Sequence, residues 1–352
     1  NINLLKPNGQ FGSRIMGGAD AASPRYIHTE LNPIVSYLFP ESDFPILKYL
    51  EDDGLSIEPN YYLPIIPLVL VNGMVGIGTG FSTNIPQYNP IDIINNIQNK
   101  LSDKPYTDMI PWYRGFNGKI TSIDNNKFIT FGVYNIINND TIVITELPIG
   151  TWTQNYKILL DSLIYNKQTP KKTQCIVSYE DHSTDSQIRF VIKLVDTNID
   201  IDKAFKLTST KNTNNMHLYD SNDKINKYDT VFDIMDDYYT ERLSQYNIRK
   251  IYILDKLDKQ ITMNRIKMKF IIYVIEDKII IYKNKKDSII DMLIKFDFEK
   301  VDNSYNYLLN LPLTQFTHEK IQELQNNIDK LTSEYNDLEL KNIKDIWSDE
   351  LI

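Results

Sequence analysis

The sequence predicts a multidomain protein of the α+β class, divided into residues 1–45, 46–228 and 229–352. Its 352 residues leave room for two or three units, each with its own core. Between residues 46 and 228, short β-like runs alternate with turns. After Tyr228, two long segments repeat apolar residues at alternating three- and four-residue spacings, a pattern that is typical of paired helices.

Composition and charge limit the possible classes of function. Hydrophobic residues make up 42% of the chain and charged residues 24%, which are ordinary values for a folded protein. The net charge of −8 argues against a protein that coats nucleic acid, because such binding needs a dense set of Lys and Arg. A single cysteine, Cys175, excludes a disulfide framework, and the four histidines have no zinc-binding spacing. We therefore expect a metal-free chain from an intracellular setting.

The apolar runs and the first residues carry two further expectations. The longest apolar run, residues 65–71, contains Pro67 and is much shorter than the about 20 residues that a membrane span needs. The chain opens at Asn1 without a plausible leader sequence. We expect no membrane insertion, and we expect the chain to be a piece of a larger protein.

The first part runs through a glycine-rich stretch, NGQFGSR and then GGAD, into the sequence SPRYI. Ser23 fits the N-cap of a helix and Pro24 fits its first position. A helix is predicted from there because apolar residues recur on one helical face at Ile27, Leu31, Ile34, Val35 and Leu38.

Arg25 and Tyr26 would then lie in the first helical turn, where unpaired N–H groups and the macrodipole favour an anion such as a phosphate. The guanidinium of Arg25 can bind phosphate oxygens in a fork. A phenol ionises near about pH 10, and a neighbouring cation and a helix N-terminus both stabilise the phenolate. The pair suits a tyrosine nucleophile that attacks phosphorus. A structural role remains open for Tyr26, because the chain has 23 tyrosines.

The middle part carries the predicted strands and a run of glycines. The strand-like runs are IIPLVLV, FITFGVYNII, DTIVITEL, TQCIVSYE and SQIRFVIKLV, and a polar loop, KNTNNMHLYDSNDKINK, closes this part. VNGMVGIGTG lacks the GK[ST] of a nucleotide-binding loop. Ile77, between Gly76 and Gly78, would instead stand at a turn as an apolar wedge able to enter a DNA base step. An ordinary buried isoleucine is the alternative.

The third part predicts two long helices and a compact tip between them. The repeats are Leu254, Leu257, Ile261, Asn264, Met268, Ile271 and Ile275, and then Ile321, Leu324, Ile328, Leu331, Tyr335 and Leu338. They favour an intramolecular coiled coil, with packing in a helical bundle as the alternative. Between them, KIIIYKNKK predicts a small strand and DSIIDMLIKF a short helix.

Four ordered motifs resemble those of type IIA DNA topoisomerases, in the form found in eukaryotes and viruses. They are NLLKPNGQFGSRIMGGADAASPRYI, PIIPLVLVNGMVGIGTGFSTNIP, ELPIGTWTQ and YNYLLNLPL, and they span nearly the whole chain. The resemblance implies the end of a winged-helix domain in residues 1–45, an α/β tower domain in residues 46–228, and a long antiparallel coiled coil with a small tip domain, the exit gate, in residues 229–352.

The resemblance also implies roles for single residues. Tyr26 would attack a DNA phosphodiester and form a 5′-phosphotyrosyl link, with Arg25 neutralising the phosphate. Ser23 would be a phosphate contact as well as a cap. Arg14 would contact the DNA backbone or tie down the glycine-rich loop. Ile77 would be the intercalating wedge, presented by Gly76 and Gly78.

Two positions depart from the family pattern, and one loop has two interpretations. Ala19 stands where many relatives carry a basic residue, and Gly150 stands where many carry arginine. Trp152 and Thr153 are expected to pack a helix start against the sheet. A loop with three lysines would touch the flanks of bent DNA or simply be solvated; they are Lys167, Lys171 and Lys172.

The family's metal ligands, an EGD and a DxDxD motif, are absent from this sequence, and so is its ATPase module. We therefore expect Mg²⁺ and ATP to be bound by upstream domains, with no metal site in this chain. The implied partners are double-stranded DNA, a second copy in a homodimer, and those upstream regions, in the nucleus or at a viral DNA replication site. The rival functions are a DNA-bending protein without chemistry and a dimerisation protein that acts only through its coiled coil.

Overall fold

The computed structural model describes residues 1–124, 126–164, 174–196, 199–282, 284–301 and 303–352. Lys167, Lys171 and Lys172 therefore lie outside the described residues. Two compact units are present. The first unit comprises Asn1–Glu41, Pro59–Arg242 and Glu350–Ile352, and the second comprises Ser42–Glu58 and Leu243–Asp349.

The helices and strands alternate along the chain as expected for a mixed α/β protein. The strands are β1 Tyr49–Asp52, β2 Leu55–Pro59, β3 Met74–Gly78, β4 Phe81–Ile85, β5 Ile120–Asp124, β6 Lys127–Phe131, β7 Val133–Asn138, β8 Thr141–Glu146, β9 Ile176–Asp181, β10 Phe190–Leu194, β11 Thr208–Asn212, β12 Met216–Tyr219 and β13 Ile225–Tyr228. The helices are α1 Val35–Leu38, α2 Leu68–Asn72, α3 Pro90–Leu101, α4 Thr153–Leu163, α5 Ile201–Ala204, α6 Val231–Ile275, α7 Lys286–Lys295, α8 Asn306–Leu309, α9 His318–Leu340 and α10 Ile343–Glu350, and the 3₁₀ turns are Pro24–Tyr26, Glu41–Ile46 and Leu313–Gln315.

The core of the first unit lies between α4 and an antiparallel sheet with strand order β7-β8-β10-β9. Helix α4 presents Tyr156, Leu160 and Leu163 at helical spacing toward this sheet, and all three are buried. The sheet contributes Ile142, Ile144, Phe190 and Ile192. A second sheet, with order β11-β6-β5, belongs to the same unit. These elements confirm the strands that the sequence predicts in FITFGVYNII, DTIVITEL, TQCIVSYE and SQIRFVIKLV.

Two predictions for the middle part are wrong. IIPLVLV contains helix α2 instead of a strand, because the carbonyl of Pro67 accepts hydrogen bonds from Leu70 N at 3.0 Å and Val71 N at 3.3 Å. The polar loop contains the hairpin β12–β13, in which Met216 pairs with Tyr228. Both of these side chains are buried, so two apolar residues at its ends order a stretch that is otherwise polar.

The helix predicted from Ser23 is also wrong. Pro24–Tyr26 form a single 3₁₀ turn, and the backbone is already extended at Ile27. The helix does not form because residues 4–6 pair with residues 30–32 in an antiparallel bridge. In this bridge, Lys6 N donates to Glu30 O at 3.0 Å. A helix through this stretch would have to give up that pairing, and Pro33 removes one further helical donor.

In the second unit, the part of helix α6 from Leu243 onward runs antiparallel to α9. Lys250 Nζ donates to the carbonyls of Glu339 at 2.9 Å and Lys341 at 2.7 Å, while the Phe270 and Phe316 rings lie 5.9 Å apart at the other end. Five residues of the predicted repeats are buried; they are Leu257, Ile261, Ile271, Leu324 and Ile328. The two helices are confirmed, and their coiled-coil arrangement stays a prediction.

A separate cluster forms the predicted tip. Helix α7 is confirmed and contributes Ile289 and Leu293 to the cluster. The strand predicted in KIIIYKNKK is wrong for its described residues. Lys278 N and Ile279 N both donate to Tyr273 O, so these residues form a turn at the C-terminal end of α6. Ile279 is thereby buried beside Leu293 rather than paired in a sheet.

Candidate active site and nucleic-acid interface

Residues 9–22, called here the glycine loop, fold back on themselves in front of the Arg-Tyr pair. Gly18 N donates to Ser13 O at 3.0 Å, and Ala22 N donates to Gln10 O at 3.0 Å. Gly12 must lack a side chain, because a Cβ there would lie 2.6 Å from Gly18 Cα. The loop is therefore a closed structure whose two halves touch.

Asp20, which is exposed, fastens the glycine loop by two hydrogen bonds to Ser13. Its carboxylate accepts the Ser13 hydroxyl at 2.6 Å and the Ser13 backbone N–H at 2.9 Å. These hydrogen bonds hold the pKa of Asp20 below its ordinary value. This role of Asp20 was not predicted, although an acid within a glycine-rich turn is a signal for side-chain bonds to the backbone.

The Arg-Tyr pair stands on the 3₁₀ turn in open solvent. Tyr26 N donates to Ser23 O at 2.9 Å, and 62% of the Tyr26 side chain is exposed. Arg25 and Ser23 are exposed as well, and the Ser23 side chain makes no cap hydrogen bond. Within the described residues, no ion pair involves Arg25. A three-residue turn has little macrodipole, so the positive charge beside the phenol is that of Arg25.

Arg14 pairs with a buried acid. Its guanidinium bonds Glu146 Oε1, and Arg14 N donates to Asp185 O at 3.2 Å. Glu146 lies at the end of β8, is 1% exposed, and also accepts from Asn117 N at 3.2 Å. Arg14 therefore ties the glycine loop to the sheet, while the predicted contact with DNA stays a prediction. Glu146 was missed in the sequence, although a charge inside the apolar run IVITEL marks it.

Ile77 lies within strand β3 of the hairpin β3–β4, not at a turn as predicted. It is 93% exposed, so the alternative of a buried isoleucine is wrong. Val75, two residues earlier on the same face, is 83% exposed. A Cβ on Gly78 would lie 2.6 Å from the Phe81 ring, so this glycine lets the ring close the hairpin, whereas Gly76 faces open space. The hairpin thus presents apolar side chains that nothing in the described part of the first unit covers.

The hairpin is fixed at its second strand. Asn84 N donates to Asn215 O at 2.7 Å, and His217 N donates to Thr83 Oγ1 at 3.1 Å. The Asn215 amide adds a bond to Ser82 Oγ at 2.7 Å. Because the hairpin is held in place, an apolar residue on it can insert between stacked bases without displacing the hairpin.

The positions that depart from the family pattern have distinct surroundings. Ala19 is exposed on the glycine loop. Gly150 has a φ of 84°, and a Cβ there would lie 3.0 Å from Lys211 Nζ. The lysine ammonium thus lies close to where a side chain at position 150 would begin. Trp152, expected to pack a helix start against the sheet, lies against Gly17 of the glycine loop.

Membrane-spanning helices and clustered metal ligands are both absent from the described residues. These residues contain no helix long and apolar enough to cross a membrane. They also contain no group of three or more His, Cys, Asp or Glu side chains placed to hold a metal ion.

Comparison with known structures defines the class of protein. The fold matches the crystal structure of the Plasmodium falciparum topoisomerase II DNA-binding, cleavage and re-ligation domain, with a TM-score of 0.85 and 38% sequence identity. The match covers 99% of this chain and 51% of that chain. The chain belongs to the family of A-type subunits of DNA gyrase/topoisomerase IV, whose sequence model matches residues 1–352.

Curated relatives agree with this assignment. The chain is 38% identical to DNA topoisomerase 2 of Plasmodium falciparum, over 99% of this chain and 27% of the relative. It is 37% identical to DNA topoisomerase 2 of Acanthamoeba polyphaga mimivirus, over 100% of this chain and 33% of the relative. The chain thus spans about a quarter to a third of these relatives. The resemblance inferred from the four motifs is confirmed.

Proposed function

We propose that the chain supplies the DNA breakage and rejoining tyrosine of a type II DNA topoisomerase. The observation that carries the proposal is the exposed Arg25–Tyr26 pair on a turn that follows an anchored loop. Membership of the topoisomerase family supports this function over a protein that only bends DNA or dimerises. The transient double-strand break would serve the ATP-driven passage of a second duplex.

The chemistry is a transesterification. Tyr26 Oη attacks phosphorus, the Oη–P bond forms, and the P–O3′ bond breaks. The phenol proton leaves, and the departing 3′ oxygen takes up a proton to become a hydroxyl. The phosphodiester energy is kept in the 5′-phosphotyrosyl link, so the reverse attack reseals the strand.

Arg25 has the role of stabilising charge on the phosphate. Negative charge builds on the non-bridging oxygens as phosphorus becomes five-coordinate, and a guanidinium next to the nucleophile lowers that energy. Its exposure and lack of a described ion pair leave it available for this role. Ser23, which is also exposed and caps the same turn, is proposed as a further phosphate contact. Arg14 is proposed as a contact only through the part of its side chain that its pairing with Glu146 leaves accessible.

Ile77 is proposed as the wedge that kinks DNA. Its 93% exposure supports this, because an apolar side chain held in solvent gains by entering a base stack. Unstacking one step costs a few kcal/mol, which the wider contact of bent DNA offsets. Gly76 leaves the space beside it open, whereas the Phe81 ring fills the space beside Gly78.

The proposed architecture follows the family. Residues 1–45 would end a winged-helix domain, residues 46–228 would form the tower, and residues 229–352 the coiled coil and exit gate of a homodimer. The antiparallel pair α6 and α9 supports the last of these. By the family resemblance, Mg²⁺ and ATP are proposed to be bound by upstream regions of the enzyme, and no step is derived through them. The enzyme would act on nuclear DNA or at a viral replication site.

The replacement Tyr26→Phe tests the proposal. In the full-length gene product it should leave DNA affinity unchanged and eliminate protein-linked DNA, because only the attacking oxygen is lost. Tyr37→Phe is the matched control, since Tyr37 is 75% exposed in the same unit. Protein-linked DNA that persists in Tyr26→Phe, or disappears in Tyr37→Phe, would refute the assignment.

A further inference from the structure

The side chain of Tyr26 is mostly exposed, so its position depends on the main chain on either side of it. We propose that Glu146 and Trp152, more than a hundred residues downstream, are positioning residues for this tyrosine and act through the glycine loop. The inference rests on the proposed function of Tyr26. It assigns a role to the ELPIGTWTQ segment beyond packing a helix start.

The first attachment is electrostatic. Glu146 is 1% exposed, and its carboxylate is satisfied by Arg14, Asn117 N and Leu147 N. A buried carboxylate with three such donors has little freedom to move. Arg14 is held with it, and so is the middle of the glycine loop.

The second attachment is steric. The Trp152 ring fills the space where a Cβ of Gly17 would lie, at 2.3 Å from that position. Two residues along, Gln154 N donates to Ile15 O at 3.0 Å. Residues 14, 15 and 17 are thus fixed in turn by residues 146, 154 and 152. A rigid segment of the sheet-and-helix core therefore holds the loop at three points.

The loop passes this constraint on to the tyrosine. The bond from Ala22 N to Gln10 O closes the glycine loop one residue before the turn begins at Ser23. On the other side, Lys6 binds Glu30 through its backbone N–H at 3.0 Å and its ammonium at 2.6 Å. Residues 6 to 30 therefore form a loop whose two ends are bonded to each other, and Tyr26 lies on its exposed side. A movement at any of the three attachments would therefore displace Tyr26 together with the glycine loop.

Reactivity is sensitive to such shifts, since a displacement of about 1 Å from attack geometry can cost about 10²-fold in rate. A direct DNA contact would instead change affinity. Single-turnover adduct formation at saturating DNA and the dissociation constant for DNA separate these two effects.

The experiment uses the full-length gene product with Glu146→Gln and Trp152→Ala. Glu146 is buried, so Glu146→Gln can also disturb folding. Trp152 is 37% exposed, and Trp152→Ala therefore tests the inference in a variant that keeps the fold. Tyr156→Phe is the matched control, because it removes the bond from the buried Tyr156 hydroxyl to Phe205 O at 2.9 Å, in the same core but away from the glycine loop. Thermal unfolding of all variants measures any general loss of stability.

In Glu146→Gln and Trp152→Ala, we expect adduct formation at saturating DNA to slow by about 10- to 100-fold. The affinity for DNA should stay within about threefold of wild type. Tyr156→Phe should stay within about twofold of the wild-type rate even where its melting temperature falls. Unchanged rates, rates that fall equally in the control, or a loss confined to affinity would each overturn the inference. A wild-type protein that forms no adduct would overturn the proposed function itself, which is a separate outcome.

Discussion

The contact between Gly17 and Trp152 gives the sharpest stability prediction for the glycine loop. Gly17 has a φ of 63°, and Gly17→Ala would place a Cβ 2.3 Å from two atoms of the indole ring. The left-handed backbone costs a residue with a Cβ about 1–2 kcal/mol. Forcing the ring aside adds about 1–3 kcal/mol, as is usual for overpacking. The loop attachment should weaken by the sum, about 2–5 kcal/mol.

The neighbouring residue provides a matched control. Gly18 has a φ of 85°, but a Cβ there would meet nothing within 4 Å. Gly18→Ala should therefore cost only the backbone part, about 1–2 kcal/mol. The difference between the variants isolates the clash with Trp152. At 1.4 kcal/mol per tenfold change, about 1–3 kcal/mol corresponds to a roughly 5- to 150-fold difference in an opening equilibrium.

Hydrogen exchange at the Gln154 amide measures this opening, because that N–H bonds Ile15 O across the attachment. We expect exchange in Gly17→Ala to be faster than in Gly18→Ala by the factor above. Replacing Trp152 by Ala should remove most of the difference between the two glycine variants. Equal protection in the two variants with Trp152 intact would refute the argument that the ring holds the loop.

Three further outcomes are expected. Ile77→Ala should reduce DNA bending, measured by energy transfer between end labels, without changing the melting temperature, whereas Val75→Ala should bend DNA normally; an unchanged bend in Ile77→Ala contradicts the wedge. Asp20 has a pKa below its ordinary value of 3.8. Its contribution to stability is therefore fully present above pH 3.8 and is lost as the pH falls through the lower folded-state pKa. Protection of the Ser13 amide should fall in that range, and Asp20→Asn should show no such dependence. Thr317→Ala removes the N-cap of α9 and should lower the free energy of unfolding in urea by about 1 kcal/mol.

The sequence predicts much of this fold because burial imposes simple periods. Ile142 and Ile144 alternate along β8, and Leu324 and Ile328 repeat along α9, so local spacing already shows which face is buried. Family motifs add the location of the candidate site, which spacing alone leaves open. The predicted strand in FITFGVYNII divides at Gly132 into β6 and β7, where the backbone turns from one sheet to the other.

The failures occur where distant contacts decide the conformation. Residues 23–38 have a helical pattern, yet Lys6 and Leu4 bind residues 30 and 32 and hold the chain extended. Local propensity contains no information about that pairing. Glu146 was missed for the same reason, since the partner that makes its burial tolerable, Arg14, lies 132 residues away in the sequence.

The loss of the predicted helix changes how the tyrosine would be activated. A helix N-terminus would have offered free N–H groups and a macrodipole in addition to Arg25, so that three effects shared the stabilisation of charge on the phosphate. In the 3₁₀ turn, Tyr26 N and Ile27 N are already bonded to Ser23 O and Pro24 O. Within the described residues, the charge on Arg25 and the fixed position of the turn are what remain. Electrostatic stabilisation of this kind depends on preorganisation, so under the proposed function the attachments of the glycine loop would hold the guanidinium of Arg25 where it stabilises the phosphate.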